Sequence, residues 1–126
     1  MDIRANIREI AVGGRKAVAG EPGERLLRSP DDIVDVIGAC FEHGAQSVLL
    51  YAENLPEHFF DLSSGEAGAI LQKMRNYQLR LAIVAPGGTV RLTDRFREMA
   101  LEESRGNDFR LFEDKASAEA WLAGGT

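Results

Sequence analysis

The sequence predicts an α/β domain on a mixed, mostly parallel sheet. Three observations predict it. Short apolar runs suited to strands alternate with stretches whose apolar residues recur at helical spacing. Two of those runs, "SVLLYA" (47–52) and "LRLAIV" (79–84), are continuous, as expected of interior strands covered on both faces. A glycine pair near the start marks a hairpin, which adds an antiparallel strand.

The elements follow in order. Ile7, Ile10, Val12 and Val18 flank Gly13-Gly14, so strands are expected at about 6–12 and 15–19, joined by a two-residue turn. The loop "GEPGERLLR" leads to "SPDDIVDVIGACFEHG". There Ser29 suits an N-cap, Pro30 the first helical position, and Asp31 and Asp32 the positive end of the helix dipole. Ile33, Val36, Ile37, Cys40 and Phe41 form one apolar stripe, and Gly44 ends the helix.

After the 47–52 strand, a second helix is expected from about Ser64 to Asn76, burying Ala67, Ile70, Leu71, Met74 and Tyr77. Gly65, Gly68 and Ala69 leave one of its faces nearly bare; close packing inside the domain is the expectation, with packing against a second subunit as the alternative. The 79–84 strand follows, then a "PGGTV" loop and a third helix within "RLTDRFREMALEES", with Phe96, Met99 and Ala100 inward. "FRLF" (109–112) is a short strand. Asp114 caps a last helix with Ala118, Trp121 and Leu122 on its inner face, stopped by Gly124-Gly125.

The expected order is therefore β-β-α-β-α-β-α-β-α, one domain over residues 1–126, without internal repeat or linker. Strand-helix-strand alternation calls for parallel pairing through right-handed crossovers.

Composition bounds the function. The chain has 126 residues, 44% hydrophobic and 28% charged, enough for one domain with a real core. The net charge of −5, with basic residues scattered along the chain, argues against nucleic acid or anionic membrane as partners. One cysteine, Cys40, excludes an internal disulfide; it sits on an apolar stripe, where a buried, inert thiol is expected. "MDIRANIREI" lacks a signal-peptide core, and no run is long enough to span a membrane, so the cytoplasm is the expected compartment.

The chemistry-bearing residues crowd into "YAENLPEHFFDLSSGEAG", Tyr51 to Gly68. Ser63 and Glu66 have the spacing of a capping box, the first reading of this stretch; the functional alternative is that Ser63-Ser64-Gly65 at a helix start carries a phosphate. Glu53, Glu57, His58 and Asp61 offer acid/base groups at the carboxyl end of a strand, where open α/β folds bind ligands. Surface solvation explains them as well. Neighbouring side chains on an extended stretch point opposite ways, so Phe59 and Phe60 cannot both enter the core, and one could anchor a partner or line a pocket. Arg105, before Gly106-Asn107, would reach the 53–61 carboxylates if the two segments lie at the same end of the sheet. No metal-ligand, P-loop or serine-hydrolase spacing is present, and neither metal nor cofactor is expected.

"ENLPEHFFDLSSGEAGAILQKMRNYQLRLAIV", with "RGN" and the terminal "AEAWL", resembles the family known as domain of unknown function 4180, over nearly the whole chain. The element order also resembles the STAS domain of anti-sigma-factor antagonists and sulfate-transporter tails. Bacterial members carry D-S-S-G-L-G at the start of the helix after the third strand, with the second serine phosphorylated. Asp61-Leu62-Ser63-Ser64-Gly65-Glu66-Ala67-Gly68 stands in that place here, with Leu62 intervening and one extra residue before Gly68, and Ser64 is the nearer equivalent. The resemblance implies a non-catalytic regulatory domain with a protein partner or self-association. The alternative is a small-molecule binder or cofactor-free enzyme, with Glu57, His58 or Asp61 as acid/base and Arg105 holding an anionic group.

Overall fold

The computed structural model describes residues 3–88 and 90–124; Gly125 of the expected helix stop lies outside them. Five strands form one sheet: β1 (Ile7–Val12), β2 (Arg15–Gly20), β3 (Ser47–Tyr51), β4 (Arg80–Val84) and β5 (Phe109–Phe112). Their spatial order is β1-β2-β3-β4-β5, the order of the chain. The β1–β2 pair is antiparallel and the other three pairs are parallel, so the sheet is mixed and mostly parallel. Gly13 (φ 57°) and Gly14 (φ 80°) make the hairpin turn, a conformation costly for residues with a Cβ.

Helices α1 (Ile33–His43), α2 (Glu66–Asn76) and α3 (Asp94–Arg105) connect the parallel strands, and α4 (Lys115–Leu122) closes the chain. Right-handed crossovers between successive neighbours put every connecting helix on the same side. The packing follows: Ile33, Val36 and Ile37 of α1, Ile70 and Met74 of α2 and Phe96 of α3 join Val18, Val48, Leu50, Leu81 and Ile83 in one core. The opposite side chains of the same strands, among them Ala17, Ala19, Leu49 and Ala82, pack under Ala118, Trp121 and Leu122 of α4. The alanines let this short helix sit close to the sheet.

Helix ends follow local chemistry. Asp32 Oδ2 accepts the Arg28 and Ser29 amides at 2.9 and 3.3 Å, and the chain winds through a 3-10 turn, Pro30–Asp32, before α1. Thr93 Oγ1 accepts Phe96 N and Asp114 Oδ1 accepts Ser117 N, opening α3 and α4.

Three packing expectations are overturned. Phe41 is 66% exposed, because the buried arc of α1 is rotated toward Ala39, and Tyr77, at the C-cap of α2, is 52% exposed; the two rings meet edge to face at 5.8 Å on the surface. The bare face of α2 does not pack inside the domain, since a Cβ at Gly68 would meet nothing within 4 Å.

Candidate functional site

The carboxyl ends of β2 and β3 are joined by Asn54, a fully buried side chain. It sits in the 3-10 turn Ala52–Asn54 that ends β3. Its Oδ1 accepts Tyr51 N at 2.7 Å, and its Nδ2 donates to Glu21 O at 2.8 Å and Glu24 O at 2.7 Å. Leu27 N donates to Asn54 O, and Glu53 Oε1 accepts Gly23 N at 2.9 Å. Arg25 Nη1 adds a bond to Leu55 O at 2.9 Å. The loop after β2 is thereby sewn to the turn after β3. Asn54 and Arg25 escaped sequence reading, because a lone asparagine before Leu-Pro and a lone arginine in a charged loop form no pattern.

Residues 56–65 wind as consecutive short turns: Phe59 N to Pro56 O, Asp61 N to His58 O, Ser64 N to Asp61 O and Gly65 N to Leu62 O. The His58 peptide is clamped on both sides. Glu66 Oε1 accepts His58 N at 2.8 Å, and Ser64 Oγ donates to His58 O at 2.7 Å. The imidazole itself stands 63% exposed, with Nε2 4.0 Å from Glu57 Oε2.

The expected capping box between Ser63 and Glu66 is not formed. Gly65 in the left-handed region (φ 81°) separates the turn Leu62–Ser64 from α2, so Ser63 cannot cap that helix. Asp61 takes its polar groups instead: Oδ1 accepts Ser63 Oγ at 2.6 Å and Ser63 N at 3.1 Å. These bonds favour the carboxylate and hold the Asp61 pKa below its ordinary value. Ser64 Oγ accepts Glu66 N at 3.1 Å and so serves the first amide of α2.

The two phenylalanines divide. Phe59 is fully buried and Phe60 half-buried; both stack obliquely on Phe96 of α3, at 5.9 and 5.2 Å between centroids. Phe60 forms one wall of an open cleft of about 490 Å3, with Arg25, Glu57, His58, Asp61 and Arg91 around it.

The cleft abuts Val90–Thr93 ahead of α3, not the helix's last turn. Arg105 is therefore not part of it. α3 starts beyond the carboxyl end of β4 and ends before the amino end of β5, so its last residue lies at the opposite edge of the sheet. There Arg105 Nη1 pairs with Glu102 at 3.5 Å, both side chains exposed.

Fold and site together define a single α/β domain whose polar loops gather at the carboxyl edge of a mixed sheet. The chain belongs to the family Domain of unknown function (DUF4180), whose profile matches residues 12–122. No curated protein and no solved structure matches it. Among the described residues, no helix is long and apolar enough to cross a membrane.

Proposed function

We propose that this chain is a non-catalytic, cytoplasmic regulatory domain of STAS-like type, working through a protein partner or through self-association. Its working surface is the 53–68 segment, with Ser64 as the switch. The observation that carries the reading is the double use of the Ser64 hydroxyl, which donates to His58 O and accepts from Glu66 N while the residue stays exposed. A phosphate on that oxygen removes the proton that binds His58 O. It also sets a dianion beside Glu66 and Asp61, so the turns between 56 and 65 must rearrange. The element order that underlies the STAS resemblance supports the same reading.

The test compares partner capture and oligomeric state for the wild type, Ser64→Ala and Ser64→Asp. Ser64→Asp should weaken association while circular dichroism stays native. Equal association by all three proteins contradicts the switch.

The open cleft beside Phe60 favours a second reading, a small-molecule binder or cofactor-free enzyme. Native mass spectrometry separates the two. A bound organic molecule, lost in Glu57→Gln and His58→Gln, would shift the assignment to the cleft.

A further inference from the structure

The opposite edge of the sheet, remote from the 53–68 segment, carries a second and smaller cleft of about 220 Å3. Arg15 and Lys16 of β2, Gln46 and Ser47 at the start of β3, and Arg80 of β4 line it, with Leu122 of α4 at one side. Every ionisable group in this lining is a cation, in a chain of net charge −5 that has carboxylates to spare. The register sets Ser47 beside Arg80, and beside Ala17 on the other flank, so Arg15 and Arg80 approach across β3.

Arg80 is held in one orientation by several contacts. Its Nε donates to Asn107 O at 3.2 Å, and its Nη2 to Trp121 O at 3.2 Å and Asn107 Oδ1 at 3.3 Å. The guanidinium lies 4.0 Å from the Trp121 ring centre, and Nη1 has no partner among the described residues. Burial, then repulsion from Arg15 and Arg110, lowers its pKa, with Asp108 acting the other way. The negative end of α4 accounts for one arginine near Trp121 O. It also reaches Arg15, whose Nη2 would stand 3.8 Å from a Cβ on Gly124, but it does not account for Lys16, and neither residue forms an ion pair among the described residues.

We infer that this cleft binds a compact phosphate-bearing anion, a phosphate monoester or a diphosphate. Arg80, fixed in orientation, presents its free nitrogen, and Arg15 and Lys16 supply charge. The Ser47 hydroxyl and the Gln46 amide are the neutral donors. The volume falls below the usual range for drug-sized ligands, roughly 300–1,000 Å3, so the organic part must be small or project into solvent.

Trp121 is the only tryptophan in the chain, which makes the site self-reporting. Pyrophosphate is titrated at constant ionic strength, balanced with chloride, while Trp121 fluorescence is followed. A saturable change is expected. In the Arg15→Gln/Lys16→Gln double variant, whose exposed side chains leave the core untouched, affinity should fall by about tenfold or more. Arg91→Gln, in the other cleft, should bind as the wild type does. A response that never saturates, one unchanged in the double variant, or one abolished by Arg91→Gln overturns the site. Equal affinity for acetate overturns its phosphate character.

Discussion

A Cβ on Gly20 would stand 2.6 Å from Asn54 Oδ1 and 2.8 Å from Leu26 Cδ1. The last residue of β2 is thus glycine because a buried amide from the next strand's turn occupies the space a side chain would need. The contact couples two positions far apart in sequence. Gly20→Ala should cost about 1–3 kcal/mol through overpacking. Asn54→Ala should cost about 2–4 kcal/mol, because it strands the Tyr51 amide and the Glu21 and Glu24 carbonyls. The double variant should be less damaged than the sum by at least about 0.5 kcal/mol, since removing Oδ1 relieves the collision. Urea unfolding of the four proteins measures the coupling; strict additivity would contradict it.

Phe59 and Phe60 are adjacent yet differ in what they support. Phe59→Ala empties a fully buried site between the strands and α3 and should cost about 3–5 kcal/mol. Phe60→Ala loses a half-buried ring at the cleft wall and should cost roughly half of that or less. Equal losses would mean that Phe60 belongs to the core.

Two exposed turns contribute to the acid limb of stability. Asp61 and Asp114 both have lowered pKa values, each through bonds from the serine that follows in its turn, Ser63 and Ser117. A lowered folded pKa makes the unfolded chain bind protons more readily. The stabilisation is therefore complete above the ordinary aspartate value, about 3.9, and fades as pH falls through the lower folded value. Asp61→Asn and Asp114→Asn should each flatten the fall in melting temperature between those two points. An unchanged acid limb in both variants would refute the linkage.

Cys40 is 1% exposed, and burial pushes its thiol pKa up to about 12. A disulfide reagent at mildly alkaline pH should leave the native protein unmodified, and the rate of labelling should follow global unfolding across a denaturant series. Rapid labelling in native buffer would show that α1 opens locally.

Much of the fold was legible because local chemistry and packing agreed. Gly13-Gly14 could only turn a hairpin, the two continuous apolar runs became interior strands β3 and β4, and Asp114 capped α4. The misreadings share one cause: a competitor invisible to spacing. Ala39 took the buried place assigned to Phe41, and Asp61 captured the hydroxyl and amide of Ser63 before any capping box could form. Arg105 shows the limit of linear reasoning about a site, since a helix that returns along the sheet delivers its two ends to opposite edges. The 53–68 segment was found by its composition, whereas Asn54, the residue that fixes its position, was recognisable only through its partners in space.

Strand order that copies chain order has a consequence for biosynthesis. Each strand emerging from the ribosome finds its neighbour already in place, so the sheet can grow one unit at a time without waiting for a distant partner. The same layout defers one event until after β5 has formed. The face formed by Ala17, Ala19, Leu49 and Ala82 stays uncovered until α4 has been made. A nascent chain of this protein therefore carries an apolar sheet face from the first strands onward, and α4 is the element that covers it.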